Sequence, residues 1–324
     1  MIELYPLKFS PILKDKIWGG NKLQQLFDKN SITSKLGESW ELSGINGDES
    51  VVTNGDLANK SLVELIEKYQ SKLLGMKAFE KFGSSFPLLF KLIDANDNLS
   101  IQVHPGDEMA LKRHNSFGKT EMWYVVDAEP DGSLVIGFTE DCTQAIYKNA
   151  LNKGNVESLL QKVSVSKGDV FFIPAGLIHA IGKGVVIAEI QQSSDITYRI
   201  YDYKRKDDNG NERELHTEQA LEVIDFSACK QPKIIYNSIE NKVCQLVQCN
   251  YFTTNNLELT CSVIRDYSEI DSFVVYMCLY GSFFIECASG TIHVKKGDTV
   301  MIPACVTKTR LIPEQETMLL EVYI

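Results

Sequence analysis

The chain carries the same turn-bounded motif twice, and this repeat constrains the fold more than any other feature of the sequence. Residues 166–179, Ser-Lys-Gly-Asp-Val-Phe-Phe-Ile-Pro-Ala-Gly-Leu-Ile-His, align with residues 295–308, Lys-Lys-Gly-Asp-Thr-Val-Met-Ile-Pro-Ala-Cys-Val-Thr-Lys. Both copies keep Lys-Gly-Asp before a short apolar strand and Ile-Pro-Ala at the turn after it. The repeat predicts two β-barrels of similar design, and only the first copy ends in a histidine, His179.

The rest of the chain is patterned as short strands with a small set of inserted helices. Ser61 and Glu64 form a capping-box pattern ahead of apolar residues at helical spacing, which predicts a helix over about 59–82. Further helices are predicted at 107–114, 140–162 and 217–226. We therefore expect a mainly β protein with an N-terminal domain at 1–226 and a degenerate C-terminal β domain without metal ligands at 227–324. Trp18 and Trp40 are expected to pack in a barrel wall.

Charge and composition exclude several classes of partner. The formal net charge is -10, which argues against nucleic-acid and anionic-membrane partners, because both favour a basic surface. No apolar run is long enough to span a bilayer, and the first residues lack the basic and apolar regions of a signal peptide. The eight cysteines form no CxxC pair and resemble small buried hydrophobes. These features together predict a cytoplasmic protein.

Two histidines and a glutamate form a candidate metal site. Strand alternation places Ser100, Gln102 and His104 on one face of a strand. A single buried histidine is usually structural, but His179 follows the Pro-containing turn and Glu121 begins a third strand. Two imidazoles and a carboxylate, with Gln102 as a possible fourth ligand, favour a metal site.

Residues 168–179 match Gly-x5-Pro-x-Gly-x2-His and resemble the second conserved motif of the cupin superfamily, whose double-sheet barrels hold a metal inside the mouth. A wider set of motifs resembles class I mannose-6-phosphate isomerase in its short bacterial form, over nearly the whole chain. The set comprises Phe90-Lys91, residues 99–105 (Leu-Ser-Ile-Gln-Val-His-Pro), residues 118–124 (Gly-Lys-Thr-Glu-Met-Trp-Tyr), residues 174–179, and Glu189 followed by Asp195 and Arg199. Two departures are visible. Lys-Thr-Glu stands where longer members have Lys-Pro-Glu, and the chain is too short for their large helical insertion, so the way the substrate is covered is expected to differ.

The resemblance implies a fold, a cofactor and a reaction. The fold is two cupin-type jelly-roll barrels, and the cofactor is one Zn²⁺ per chain held by Gln102, His104, Glu121 and His179. The reaction is the interconversion of mannose 6-phosphate and fructose 6-phosphate by proton transfer through an enediolate. The expected partner is thus a phosphorylated hexose, whereas the choice between monomer and homodimer stays open.

The catalytic residues implied by the resemblance are Arg199, Glu189 and Lys119. Glu189 lies among Val and Ile residues, so burial is expected to raise its pKa towards that of a useful base. The alternative is a structural ion pair of Glu189 with Arg199 or Lys91. Lys119 lies two residues before Glu121 and serves as either an acid/base partner or a phosphate ligand, while the guanidinium of Arg199 suits phosphate or the enediolate oxygens.

The residues expected to bind the substrate are Lys91, Ser100 and Asp195. Two other functions stay open beside the isomerase. One is a metal-dependent cupin enzyme of different activity, which metal analysis would distinguish. The other is a non-catalytic sugar-sensing protein, a reading that loss of Glu189 or Arg199 would have favoured; both residues are present.

Overall fold

In a computed structural model that describes residues 3–206 and 210–324, antiparallel strands form two double-sheet barrels. The larger sheet of the N-terminal barrel has, in spatial order, the strands Val170–Ile173, Glu121–Ala128, Val185–Gln192, Leu88–Ala95, Leu36–Leu42 and Ile12–Gly20. The facing sheet has the strands Leu160–Ser164, Ser133–Phe138, His179–Ile181, Ile101–Val103 and Tyr198–Tyr201. This architecture confirms the mainly β fold that the sequence predicts.

The C-terminal barrel has the same two-sheet design. Its larger sheet has the strands Leu7–Lys8, Thr299–Ile302, Val274–Tyr280, Thr317–Tyr323, Thr253–Leu259 and Val243–Gln248, and its smaller sheet has Val263–Asp266, Lys308–Pro313, Ser282–Cys287 and Gly290–Lys295. A separate hairpin joins Gly44–Ile45 to Asp48–Glu49. Leu7–Lys8 belongs to the predicted N-terminal domain, yet it pairs with Thr299–Ile302. The domain boundary at 226/227 stays a prediction.

The two copies of the sequence repeat adopt the same turn. Gly168 and Gly297 have φ values of +93° and +88°, a conformation that glycine tolerates and L side chains rarely adopt. After each glycine an aspartate closes the turn. The carboxylate of Asp169 accepts a hydrogen bond from the backbone N–H of Ser166 at 2.8 Å, and that of Asp298 accepts one from Lys295 at 3.0 Å. The repeat in the sequence is therefore a repeat in the structure.

The two barrels pack against each other through their larger sheets. Met122 and Ile190 from the N-terminal barrel share one hydrophobic core with Val275 and Met277 from the C-terminal barrel. Consequently both faces of the strands Leu88–Ala95 and Val185–Gln192 are covered, and every residue in them is buried. Strands buried on both faces have nearly continuous apolar sequences, which explains the run Leu-Leu-Phe before Lys91.

The helix predicted over 107–114 is confirmed, whereas the other predicted helices are shorter than the sequence predicts. The α-helices are Lys22–Phe27, Leu62–Tyr69, Ser71–Leu74, Met76–Phe82, Asp107–His114, Gln144–Asn152 and Thr217–Leu221, with 3₁₀ turns at Gly55–Leu57 and Val156–Leu159. The capping box of Ser61 and Glu64 is present. The single helix predicted over 59–82 is wrong, because Gln70 and Gly75 have positive φ values and divide it into three. The prediction over 140–162 is wrong at its end, where Leu160–Ser164 is a strand, and the helix at 217–226 ends at Leu221.

No helix within the described ranges is long and apolar enough to cross a membrane.

Candidate active site

The strand Ile101–Val103 places polar side chains on one face, as alternation predicts. Ile101 and Val103 are fully buried in the apolar core on the outer side of the smaller sheet. Ser100 and Gln102 line a cleft at the mouth of the N-terminal barrel, and His104 follows the strand directly. His179 pairs with Gln102 across the sheet. The local strand geometry thus directs these side chains into the barrel mouth.

His104, Glu121 and His179 converge at one point inside the barrel. Candidate ligand atoms of the three residues all lie within 4.8 Å of one another, and the three side chains are buried. The Nε2 atoms of the two histidines are 3.1 Å apart, and Glu121 Oε1 lies 3.7 Å from that of His104 and 3.4 Å from that of His179. The amide of Gln102 lies beside this group, with Nε2 3.3 Å from His179 Nε2. The structure thus brings together the four predicted metal ligands.

Backbone carbonyls orient both imidazoles towards that point. His104 Nδ1 lies 2.8 Å from the carbonyl oxygen of Ile196, and His179 Nδ1 lies 2.8 Å from that of Leu177. A carbonyl oxygen only accepts hydrogen bonds, so each Nδ1 carries the proton and each Nε2 offers a lone pair. Burial lowers the pKa of His179 to about 3 and that of His104 well below its usual value. Two neutral imidazoles held in this way are typical of metal ligands.

Glu121 completes a donor set that fits a divalent metal. Its Oε1 is buried and has no hydrogen-bond partner among the described residues. Burial and the nearby Glu189 carboxylate raise the pKa of Glu121, and a bound cation would favour its ionised form. An unpaired carboxylate oxygen beside two unprotonated imidazole nitrogens therefore matches a mixed nitrogen and oxygen site for a divalent metal.

Lys119 lies against this group, as the sequence predicts. Its ammonium is 2.9 Å from His104 Nε2 and forms an ion pair with Glu121 Oε2. It is also buried and lines the cleft. The side chain is thereby positioned between the candidate metal ligands and the space where a substrate would lie.

A buried ion pair lies deeper in the cleft. Lys91 Nζ is 3.1 Å from Glu189 Oε2, and Trp123 Nε1 donates a 2.9 Å hydrogen bond to Glu189 Oε1. Burial alone would raise the pKa of Glu189, but the ammonium groups of Lys91 and Lys119 outweigh it and lower the pKa. The predicted upward shift is therefore wrong, because the ion pair with Lys91, the alternative that the sequence also offered, is present in the structure.

The cleft has a volume of about 410 Å³, and its rim carries the other predicted residues. Arg199 pairs with Gln102 across the sheet, and its Nη1 donates a 2.8 Å hydrogen bond to the carbonyl of Glu214 while Nε has no partner among the described residues. Ser100 is buried, and its hydroxyl lies 3.3 Å from Gln102 Oε1. Asp195 is exposed at the cleft. Hence all ten predicted site residues either line the cleft or belong to the metal-ligand group.

The cleft lining also includes residues that were not predicted as part of the site, among them Glu38, Trp40, Lys16 and Arg213. Trp40 was expected in the barrel wall, but its ring lines the cleft, with Lys91 Nζ 5.3 Å from the ring centre. Its Nε1 donates to Glu38, which also lies 3.3 Å from Lys16. Alternation along the strand Leu36–Leu42 could have placed Glu38 and Trp40 on one face. Arg213 lies outside any periodic element, so the sequence offers no signal for it.

The corresponding positions of the C-terminal barrel carry different chemistry. Val274 occupies the position that corresponds to Glu121, because it pairs with Ile302 as Glu121 pairs with Ile173, and the two isoleucines are equivalent in the repeat. In place of His179 the repeat has Lys308, an exposed side chain 3.3 Å from Asp266. Within the described ranges, His104, Glu121 and His179 are the group of side chains that could hold a metal.

Comparison with known proteins identifies the family. Residues 6–150 match the type I phosphomannose isomerase catalytic domain. The chain is 35% identical over 301 residues to the mannose-6-phosphate isomerase ManA of Bacillus subtilis, covering 92% of this chain and 93% of that protein. The chain belongs to the type I phosphomannose isomerase family. A mannose-6-phosphate isomerase of Streptococcus mutans is also 35% identical, covering 92% of each chain.

Solved structures agree with this assignment. The crystal structure of the mannose 6-phosphate isomerase from Bacillus subtilis superposes with a TM-score of 0.87 at 31% identity, covering 98% of this chain and 99% of that one. A putative mannosephosphate isomerase from Archaeoglobus fulgidus has a TM-score of 0.78 at 23% identity, covering 98% of this chain and 97% of that one. The second likeness concerns the fold alone.

Proposed function

We propose that the protein is a zinc-dependent aldose-ketose isomerase that interconverts mannose 6-phosphate and fructose 6-phosphate. The observation that carries the proposal is the buried group of His104, Glu121 and His179, which contacts the charged cleft through its lining residues Gln102 and Lys119. The proposal is supported by the 35% identity, over 92% of the chain, to a mannose-6-phosphate isomerase. The cytoplasmic location expected from the sequence stays a prediction.

In this proposal His104, Glu121 and His179 hold the zinc together with Gln102. A bound zinc would act as a Lewis acid near the sugar oxygens or as a template that holds the sugar in place. Gln102 contributes through its amide oxygen, which reaches the group when the amide is turned about its last bond. The buried Oε1 of Glu121 and the two unprotonated Nε2 atoms supply the other ligands.

The isomerisation moves one proton between adjacent carbons. A base removes the proton from C2 of the open-chain aldose, the C1 carbonyl oxygen takes up negative charge, and the enediolate forms. The proton of the C2 hydroxyl then passes to O1, which becomes the C1 hydroxyl, and the protonated base delivers its proton to C1, so that C2 becomes the ketone carbon. The protein must therefore supply a proton carrier beside C1 and C2 and cationic groups beside the two oxygens.

Glu189 and Lys119 are the two proton carriers that face this space. Glu189 is ionised at neutral pH because Lys91 and Lys119 lower its pKa, so it is able to accept a proton. Lys119 lies at the edge of the metal-ligand group, close to the substrate oxygens in this proposal. Arg199 has a guanidinium face free for the enediolate oxygens or the phosphate, because only Nη1 has a described partner, the carbonyl of Glu214.

The substrate-binding residues of the proposal are Lys91, Ser100 and Asp195. All three line the cleft, with Lys91 at its base beside Glu189 and Asp195 at the exposed rim. The cleft is closed on one side by Trp40 and Trp123, whose rings provide flat apolar surface for the sugar. A cationic and aromatic cleft in an otherwise acidic chain suits an anionic sugar.

The test is conversion of mannose 6-phosphate in D₂O, followed by NMR of the product. Proton transfer through an enediolate predicts that fructose 6-phosphate forms and carries deuterium at C1. Fructose 6-phosphate without any deuterium would contradict the proton-transfer step, and the absence of fructose 6-phosphate would contradict the isomerase itself. Arg199→Lys, which keeps the charge and removes the planar fork, is expected to reduce turnover in the same assay.

A further inference from the structure

Two consecutive glutamines, Gln191 and Gln192, end a central strand of the N-terminal barrel next to the metal-ligand group. They are 0% and 5% exposed, and strand alternation directs them to opposite faces of the sheet. Neither side chain contacts the candidate metal ligands directly in the described hydrogen bonds. Their partners nevertheless belong to the segments that carry those ligands.

Gln192 fixes the segment that carries Lys119 and Glu121. Its side-chain Oε1 accepts a 2.9 Å hydrogen bond from the backbone N–H of Thr120. The backbone N–H of Gln192 donates a 3.1 Å hydrogen bond to the carbonyl of Thr120. Thr120 is the residue between Lys119 and Glu121. Gln192 therefore holds the backbone at Thr120, and the directions of the Lys119 and Glu121 side chains depend on that backbone.

The Gln192 side chain is also linked to Gly118, two residues before Thr120, through the carboxylate of Asp107. Gln192 Nε2 donates a 2.8 Å hydrogen bond to Asp107 Oδ1. The same oxygen accepts a 2.8 Å hydrogen bond from the backbone N–H of Gly118. Residues 118–120 are thus anchored at both ends by one amide and one carboxylate.

Gln191 fixes the loop that orients His104. Its Nε2 donates to the carbonyl oxygens of Gln192, at 2.9 Å, and of Ser194. Two residues further along, the carbonyl of Ile196 accepts the hydrogen bond from His104 Nδ1. The amide therefore stabilises the loop that sets the tautomer and direction of the imidazole.

Gln191 also lies beside Glu121. The register pairs the two residues across the strands Val185–Gln192 and Glu121–Ala128, on the face that carries Glu189. Its Oε1 is buried and has no hydrogen-bond partner among the described residues. A buried polar atom without a partner costs free energy. The two hydrogen bonds that Gln191 Nε2 donates to the loop offset this cost and give the side chain a structural role.

We propose that Gln191 and Gln192 are positioning residues, which set the geometry of the metal-ligand group through Thr120 on one side and Ile196 on the other. The inference rests on the proposed function, because it assigns these residues a part in the same site. It extends that site to two residues whose side-chain hydrogen bonds go to the segments that carry the ligands and not to the ligand atoms themselves.

The experiment measures binding of Co²⁺, whose visible spectrum reports the ligand geometry, in Gln191→Met and Gln192→Met. Methionine keeps the side-chain length and removes the hydrogen bonds. Loss of such a supporting hydrogen bond costs about 10–100-fold in metal affinity or activity. We expect a Co²⁺ affinity lower by about that factor, a changed spectrum, and a lower kcat with little change in KM.

Asn256→Leu is the matched control. Asn256 is 0% exposed, donates two hydrogen bonds through Nδ2 to Ser238 and Glu258, and has an unpartnered amide oxygen, as Gln191 does. It lies in the strand Thr253–Leu259 of the C-terminal barrel, away from the metal ligands. We expect this variant to lose stability and to bind Co²⁺ with wild-type affinity and spectrum.

Folded glutamine variants with wild-type Co²⁺ affinity and spectrum would overturn the inference, as would an equal loss of affinity in Asn256→Leu. If Gln192→Met does not fold, Asp107→Ala tests the same anchor from its other side, because it removes the acceptor shared by Gln192 Nε2 and the backbone N–H of Gly118. Wild-type protein without isomerase activity would refute the proposed function, whereas the Co²⁺ comparison would still decide the role of Gln191 and Gln192.

Discussion

Replacing Lys91 with methionine removes one charge from a buried ion pair and tests the electrostatics of the cleft directly. Lys91 Nζ lies 3.1 Å from Glu189 Oε2, and Glu189 is 3% exposed. With an effective dielectric constant of about 20, two unit charges at this separation attract by about 5 kcal/mol. The hydrogen bond from Trp123 remains in the variant and offsets part of the loss. We therefore expect Lys91→Met to lower the free energy of unfolding by about 3–5 kcal/mol at neutral pH.

The sign of the pH dependence follows from the buried carboxylate. Without Lys91, we expect burial to outweigh the remaining attraction of Lys119 and to raise the pKa of Glu189 in the folded variant above its unfolded value, so protonation relieves the penalty. The loss of unfolding free energy in Lys91→Met, relative to wild type, is therefore largest above the raised pKa of Glu189. It becomes smaller as the pH falls through that pKa. Urea unfolding of both proteins at about pH 8 and about pH 5 measures this difference.

The double variant Lys91→Met/Glu189→Gln is the control, because it removes both charges. Replacing a buried ion pair by neutral side chains is often close to neutral in stability, whereas breaking it is costly. We expect the double variant to regain most of the lost stability and to lose the pH dependence. Glu38 keeps its contact with Lys16 in both variants. A deficit that is the same at both pH values, or that persists in the double variant, would refute the reasoning.

Three further substitutions have defined outcomes. Gly118→Ala places a Cβ about 2.6 Å from the backbone nitrogen of Asp107, so we expect a stability loss of about 1–3 kcal/mol and weaker metal binding, measured by thermal unfolding and Co²⁺ titration. Asp271→Ala removes the carboxylate that accepts hydrogen bonds from the first two backbone N–H groups of the helix Met76–Phe82, which costs about 1 kcal/mol in urea unfolding. Asp202 is buried between two arginines, whose charges outweigh burial and lower its pKa, so we expect Asp202→Asn to lower the free energy of unfolding by about 3 kcal/mol at neutral pH. This difference from wild type is lost as the pH falls below about 4, the unfolded pKa, and through the lower folded pKa. Unfolding at pH 7 and pH 3 measures it.

The metal-ligand group could be predicted partly from local strand patterns and partly from the resemblance to a known family, because its residues come from three separate strands. The alternation of Gln102 and His104 along a strand, and the turn before His179, fix directions within a few residues. The two-barrel fold could be predicted because the repeat carries its own turn glycines, Gly168 and Gly297. These features depend on short-range backbone geometry, which the sequence states directly.

What could not be predicted depends on contacts between distant segments. The helix over 59–82 is interrupted at Gly75, where a Cβ would lie 2.4 Å from the carbonyl oxygen of Asp271 in the other barrel. The lowered pKa of Glu189 depends on the strand register that places Lys91 opposite it. Arg213 reaches the cleft because Asp202 holds it there, eleven residues away in sequence. The sequence offered the Glu189–Lys91 pair only as one of two alternatives, and it contains no signal for the contact at Gly75 or for the pairing of Arg213 with Asp202.

The most direct test of the account is the coupled conversion of mannose 6-phosphate to fructose 6-phosphate, measured on metal-depleted protein before and after addition of zinc. His179→Ala is measured alongside, because it removes one imidazole of the buried group. The account predicts no turnover without metal, restored turnover with zinc, and none in the variant under either condition. Folded, zinc-loaded wild-type protein that fails to convert mannose 6-phosphate would contradict it, as would turnover that the chelator and the substitution leave unchanged.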